Sequence, residues 1–504
     1  MVLKHLDGDT FKTALEETVN ELEKKRQSLN RINVFPVPDG DTGNNMLATL
    51  ESAVESLRSA ESASLSAVAS LAYRGAQEGS TGNSGAIFAQ YLKGIAQSFH
   101  EAERADAALL EKALRQGAER AYEAVDNPKE GTILTIAREA ADAAKKAAGK
   151  NGLETTLLST YLEAKRSLER TGRVLPELRE RKVIDAGGWG LLIFFSALLR
   201  ALGIPKAGKE FDFSPKRDYF ENEDDFLFEN PFDMEFALKT DESGAKKIRE
   251  LLHEAGDELI IQPDTDKTHV HIHTHNPLDV VERCARVTPA FDLVIRNMKT
   301  QHDVIRQRAK RPEENLKDYL TMVFGESPGF LAMFAMAGAD TVISANLAAK
   351  KHRLIEEHCA GDVLVITPER IDIECGVEPV VVEGECRLLA SLVAVYSTSR
   401  PGSEIVRDTS RHPRIASIES RGENYIANPA DKSLQEGDLF DILKRTVKEL
   451  SPESGEMLTV YYNSLPSRKR LEKMIGRIRE SFPVLENVDL YYGGQDTPFI
   501  VSIE

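Results

Sequence analysis

Cysteine is scarce. Four residues in 504 (Cys284, Cys359, Cys375 and Cys386) include no Cys-x-x-Cys pair, so no disulfide framework is indicated and reduced, mostly buried thiols are expected. A long apolar run is missing as well. The longest, Gly190-Leu-Leu-Ile-Phe-Phe-Ser-Ala-Leu-Leu199, is about half a membrane span and reads as a buried helix. The opening Met-Val-Leu-Lys-His-Leu-Asp-Gly-Asp has no apolar signal core, so export is not expected and the expected compartment is the cytoplasm. Positive charge is in deficit: 64 Lys and Arg stand against 81 Asp and Glu, a formal charge of −17. Such a surface attracts neither nucleic acid nor anionic membrane, but it can still take a nucleotide whose charge a cation covers. What remains is a globular composition, 41% hydrophobic and 29% charged, in a chain long enough for about three domains.

Residues 1–204 read as nearly all helix. Phe11, Leu15, Val19 and Leu22 recur at three- and four-residue spacing, and alanine-rich stretches at 60–76, 104–125 and 136–149 continue the pattern. From 205 to 232 the composition shifts to Phe, Asp, Glu, Asn and Pro, which marks a linker. Residues 233–311 alternate strands expected at 234–238, 268–274 and 291–296 with helices near 243–255 and 277–287, a small α+β domain. Residues 312–504 carry short β-rich runs at 319–324, 362–367, 379–382 and 392–395 separated by helices, as in an α/β domain.

The richest stretch is Asn33-Val-Phe-Pro-Val-Pro-Asp39-Gly-Asp41-Thr-Gly-Asn-Asn-Met46. It sets two carboxylates on either side of one glycine in a turn stiffened by proline, a hard-cation site suited to Mg²⁺ with a phosphate. Gly40 and Gly43 permit tight backbone angles, amides freed by the turn can face phosphate oxygens, and a helix expected from near Asn44 would add its N-terminal dipole. Asp-Gly-Asp by itself also occurs in ordinary surface turns. A second loop, Gly79-Ser-Thr-Gly-Asn-Ser-Gly85, offers amides and hydroxyls ahead of an apolar helix. Pro128-Lys-Glu-Gly-Thr-Ile-Leu-Thr135 reads as a helix N-terminus capped by Thr132. In His269-Val-His271-Ile-His273-Thr-His275 strand alternation points all four imidazoles to one face, where they can chelate a transition metal or simply form a polar strand face.

Together with Val183-Ile-Asp-Ala-Gly-Gly188, these segments occur in the order seen in, and resemble, the nucleotide-binding subunit of the dihydroxyacetone kinases (the DAK2 or DhaL family). They resemble more closely the DegV-associated fatty acid kinase catalytic subunit. The resemblance implies an all-α DhaL-like helical barrel for 1–204 that binds Mg-ATP. Asn33, Asp39 and Asp41 would be Mg²⁺ ligands, and Thr42, Gly43, Asn44, Asn45, Asn83, Ser84, Gly85, Thr132, Asp185, Gly187 and Gly188 would surround the nucleotide. It further implies a zinc-type site in the middle domain at Asp233, His271 and His273, with His269 or His275 as substitutes, and a role for His271 and His273 in placing the acceptor. The ending Gly493-Gly-Gln495 resembles the closing strand of the family's DegV-like C-terminal domain.

Four positions depart from the family pattern. Asn44 stands for the usual Thr, Thr81 for a frequent Arg and Asp233 for a Cys, and the stretch near 342–349 lacks the family's glycine-rich loop. The implied activity is ATP-dependent phosphorylation of a fatty acid carboxylate presented by a DegV-like carrier protein, in a homodimer. The alternatives are a small polyol or ketone kinase and a nucleotide-binding regulator without transfer.

Overall fold

The structure is a computed structural model that describes residues 4–58, 64–148, 152–204, 211–213, 228–303, 320–347, 363–368, 379–397, 413–422, 424–429, 433–463 and 468–504. Two compact units emerge, and they cut across the chain order. Residues 1–229, 241–273 and 298–316 group in one, and residues 230–240, 274–297 and 317–504 in the other. The stretch expected as a middle domain at 233–311 is thus shared between the two.

The first unit is helical. Its helices are α1 (Gly8–Arg31), α2 (Thr42–Ser56), α3 (Leu65–Glu78), α4 (Gly82–Ser98), α5 (Ala107–Ala124), α6 (Ile133–Ala148), α7 (Leu153–Val174), α8 (Pro176–Arg181) and α9 (Ala186–Ala201). Capping fixes their starts as the sequence anticipates: Asp7, Ser64 and Asp106 accept a backbone N–H three residues on in α1, α3 and α5. The apolar stripe of α1 buries Phe11, Leu15 and Leu22, with Val19 packed partly against the same core. Every residue of α9 from Ala186 to Leu199 is buried, so the longest apolar run of the sequence is the central helix of this unit. Around it Phe11, Phe88, Phe99 and Phe194 meet edge to face with ring centroids 5.6–6.4 Å apart. Among the described residues no helix is long and apolar enough to cross a membrane.

A small piece of sheet belongs to this helical unit. Strands β4 (Asp257–Pro263) and β5 (Thr268–Thr274) pair antiparallel, with Ile260 opposite His271 and Ile261 opposite Val270. The hairpin is fastened to the helices through β4, because Asp126 N–H donates to Leu259 O at 2.9 Å and Gln77 Nε2 to Gln262 O at 3.3 Å. Strand β4 was not foreseen in the sequence, whereas β5 matches the expected 268–274.

The second unit is α/β. Strands run in the order β10 (Val380–Val381), β9 (Val363–Thr367), β7 (Leu320–Gly325), β8 (Thr341–Ser344), β6 (Ala290–Asn297), β3 (Phe232–Leu238). Strand β7 is parallel to β8 and β9, while β6 is antiparallel to its neighbours. A five-stranded sheet follows in the order β12 (Asn424–Pro429), β11 (Arg414–Arg421), β15 (Phe499–Ile503), β13 (Met457–Tyr462), β14 (Asn487–Tyr492).

One expected strand is corrected. Residues 392–395 lie inside a helix, Glu385–Ser397. The β-branched valines suggested a strand, but Leu388 and Leu392 bury at a four-residue spacing while Val393 stays 53% exposed, and helical burial overrides local β propensity.

Candidate functional site

Four helix starts come together in the helical unit, each supplied by one of the sequence motifs. Helix α2 follows the Asp39-Gly40-Asp41 turn, α4 follows Gly79-Ser-Thr, α6 follows Gly131-Thr132 and α9 follows Asp185. Glycines let them approach. A Cβ on Gly82 would stand 2.1 Å from Asn45 Nδ2, one on Gly85 2.4 Å from Thr49 Oγ1, and one on Gly187 2.9 Å from Ser84 Oγ and 3.5 Å from Ile133 Cβ. Thr81 Oγ1 donates to Asn45 Oδ1 at 3.1 Å, tying the start of α4 to the first turn of α2. Converging N-termini concentrate positive dipole ends at one place, the arrangement a polyphosphate needs.

The Asp-Gly-Asp turn is braced by side chains. Gly40 sits at φ 69°, a left-handed conformation that bends the chain between the two carboxylates. Buried Asn33 gives its Nδ2 to Val37 O at 2.9 Å and Asp39 Oδ1 at 3.0 Å, while its Oδ1 accepts Thr42 N–H at 2.9 Å and the Thr42 hydroxyl. Asn30, which the sequence did not single out, accepts the N–H groups of Gly43 at 2.7 Å and Asn44 at 3.3 Å and donates to Asn44 Oδ1 at 3.0 Å. Helix α2 therefore starts at Thr42, two residues before the expected Asn44, and its first amides are satisfied by α1 side chains instead of being held out for phosphate. Asn33 braces the turn in this conformation. Asp39 and Asp41 remain half-buried, and the Asp41 carboxylate makes no capping bond to α2. Two carboxylates on a rigid, partly open turn are a donor set that fits Mg²⁺, which favours hard oxygen ligands and keeps several waters.

At the start of α6, Thr132 Oγ1 accepts Leu134 N–H at 3.3 Å, as a cap should, and Thr135 Oγ1 accepts Gly131 N–H at 2.8 Å. Asp185 caps α9 through Gly188 N–H at 2.7 Å. Burial pushes its carboxyl up to about 6, against the lowering effect of backbone hydrogen bonds from Gly188 and Ile133.

The histidine strand is only partly as expected. His271 and His273 are buried with ring centroids 5.0 Å apart, and His269 is half-buried on the same strand. His275 lies beyond the end of β5, exposed, 3.4 Å from Asn230 Oδ1, and so leaves the shared face. His273 reaches the nucleotide-loop candidates: Asn83 Nδ2 is 3.5 Å from His273 Nε2, a long hydrogen bond. Since the amide can only donate, Nε2 accepts and the ring proton sits on Nδ1, 3.8 Å from Asp257 Oδ1. In the other unit Asp233 is buried and its Oδ2 receives Arg296 Nη1 at 2.6 Å, with Glu235 Oε1 3.1 Å from the same nitrogen. An aspartate at this position is thus matched by a buried guanidinium.

Residues 36–200 match the DAK2 domain family, and residues 229–305 match the FakA-like family, the middle domain of fatty acid kinases. Protein YloV of Bacillus subtilis (strain 168) is 26% identical over 558 positions that cover 100% of both chains. An uncharacterized protein of Staphylococcus saprophyticus is 27% identical over 91% of this chain and 92% of its own. Among solved structures, the dihydroxyacetone kinase from C. freundii in complex with AMP-PNP and Mg²⁺ aligns with 38% of this chain and 33% of its own at 19% identity and a TM-score of 0.30, too low to carry weight. The chain thus joins a DAK2 domain to the FakA-like middle domain of the fatty acid kinases.

Proposed function

We propose that the protein is an ATP-dependent phosphotransferase that phosphorylates a fatty acid carboxylate brought to it by a DegV-like carrier protein. The carrying observation is the convergence of four motif-bearing helix N-termini on a turn with two presented carboxylates. In this reading Asp39 and Asp41 hold Mg²⁺, which bridges the β- and γ-phosphates and offsets charge in the transition state. Asn30 and Asn33 keep the turn rigid, Asn83 and Ser84 at the start of α4 orient the phosphates, and Asp185 holds the start of α9 beside Ser84. A carboxylate oxygen attacks the γ-phosphorus, the bond to the β–γ bridging oxygen breaks, and its electron pair leaves with ADP. No proton moves, so a carboxylate acceptor requires no general base.

A lipid-carrying partner follows from the chemistry of that acceptor. A free fatty acid would expose its chain to water during transfer at about 0.8 kcal/mol per CH₂, whereas a carrier presents the head alone. This reading places the protein in the cytoplasm as a homodimer. His271 and His273 are the proposed acceptor-positioning groups, and they also carry the transition-metal expectation. One zinc-like ion per chain, lost in a His271→Ala, His273→Ala variant, supports that expectation, and no ion in wild-type protein removes it.

The small-polyol reading has one observation in its favour. A hydroxyl acceptor needs a base, and His273 lies beside Asn83. Trapping with hydroxylamine separates the two. Hydroxamate formed only with ATP and carrier-bound fatty acid supports the proposal; ATP consumption on a polyol with no hydroxamate overturns it.

A further inference from the structure

The stretch from Phe35 to Asp39 contains two prolines, Pro36 and Pro38, which have no N–H to give to a local hydrogen-bond network. The carbonyls of the metal turn must be held from outside. Asn33 holds that of Val37 at 2.9 Å. The next carbonyl, Pro38 O, immediately before Asp39, lies 2.8 Å from Nδ1 of His302, a residue 264 positions further along the chain. His302 belongs to the helical residues 298–303, is 2% exposed, and sets its ring edge-on to Phe228 at 5.7 Å. A carbonyl oxygen only accepts, so Nδ1 carries a proton and donates it.

We infer that His302 is a positioning residue of the phosphotransfer site: its imidazole N–H fixes the Pro38 carbonyl and thereby the angle at which Asp39 and Asp41 are presented. This rests on the Mg-nucleotide reading of that turn. The two carbonyls preceding Asp39 are then anchored by different parts of the sequence, Val37 from the end of α1 and Pro38 from the segment that follows β6. The helical domain cannot present its acidic turn at full rigidity without residues that lie outside residues 36–200, the DAK2 match. The segment that does so falls within the FakA-like match at 229–305, so any change that shifts residues 298–303 is felt at the carboxylates.

The test uses full-length protein and two substitutions that remove the ring equally but differ in where they carry a donor. In His302→Asn the amide nitrogen occupies the position of Nδ1; in His302→Gln it is displaced by one methylene towards the position of Nε2. Both lose the contact with Phe228, so a difference between them isolates the hydrogen bond. Two quantities are read: hydrogen exchange at the amides of residues 39–45 in ligand-free protein, and affinity for Mg-AMP-PNP. The expectation is that His302→Asn stays within about twofold of wild type in both, while His302→Gln exchanges faster and binds about fivefold more weakly, the size of one ordinary hydrogen bond. Equal behaviour of the two variants, whether like wild type or equally impaired, overturns the assignment. If wild-type protein binds no Mg-AMP-PNP, the proposed function fails, and the exchange comparison still decides the role of His302.

Discussion

Replacing Gly82 with alanine should loosen the site and the helical unit together. Gly82 has φ 59°, where an L-residue costs about 1–2 kcal/mol. Its new Cβ would lie 2.1 Å from Asn45 Nδ2 and 2.8 Å from Asn45 Cγ, so the buried Asn45 side chain must swing away. That breaks the 3.1 Å bond from Thr81 Oγ1 to Asn45 Oδ1, worth about 1 kcal/mol. The sum, about 2–3 kcal/mol, corresponds to a fall in melting temperature of roughly 5–10 °C for a unit of this size. Trp189, the single tryptophan, is buried in α9 and reports melting of this unit by fluorescence. Gly476→Ala is the contrasting control. Gly476 lies in the helix Arg468–Ser481 with nothing within 4 Å of an added methyl group, so alanine there should be neutral or stabilising by up to about 1 kcal/mol. A Gly82→Ala protein that melts like wild type and binds Mg-nucleotide normally would refute the close approach of α2 and α4.

Asp185→Asn should raise stability at neutral pH. Burial raises the folded carboxyl to about 6 from an ordinary 3.8, so the unfolded chain loses its proton first and wild-type stability falls as pH rises between about 4 and 6. The variant should gain up to about 3 kcal/mol above pH 6 and nothing below pH 4, read by Trp189 fluorescence in urea at several pH values; a difference that does not vary with pH contradicts the burial argument. Arg296→Met leaves Asp233 and Glu235 as buried carboxylates without their guanidinium, a loss of about 3–5 kcal/mol. Urea unfolding followed by circular dichroism checks it, and a shift under 1 kcal/mol would contradict the buried ion-pair assignment.

The elements that were legible in the sequence are those fixed by local chemistry. Glycine-containing turns ahead of apolar helices, together with Thr132 and Asp185 as caps, located the starts of α4, α6 and α9 within a residue or two, because a helix start needs a partner for its first amides. Less visible were long-range services. Asn30 and Asn33 sit at and just past the end of α1, where amide side chains are ordinary, and only folding shows that they consume the first amides of α2. His302 carries no local signal of its bond to Pro38, 264 residues away. Strand β4 was hidden because Asp257-Glu-Leu-Ile-Ile-Gln-Pro263 has a short apolar centre that fits strand or helix until it pairs with β5. His275 continued the histidine alternation, but β5 stops at Thr274.

The most direct measurement is calorimetric titration of Mg-AMP-PNP into wild-type, Asp39→Asn and Asp41→Asn protein. Each substitution removes one charge from a half-buried turn residue, so ligand-free melting reported by Trp189 should barely change. The account predicts one nucleotide site per chain in wild type and a loss of affinity beyond about a hundredfold in each variant, more than outer partners of a metal site usually cost. Wild-type affinity retained in either variant, or no Mg-dependent binding in wild-type protein, would contradict it.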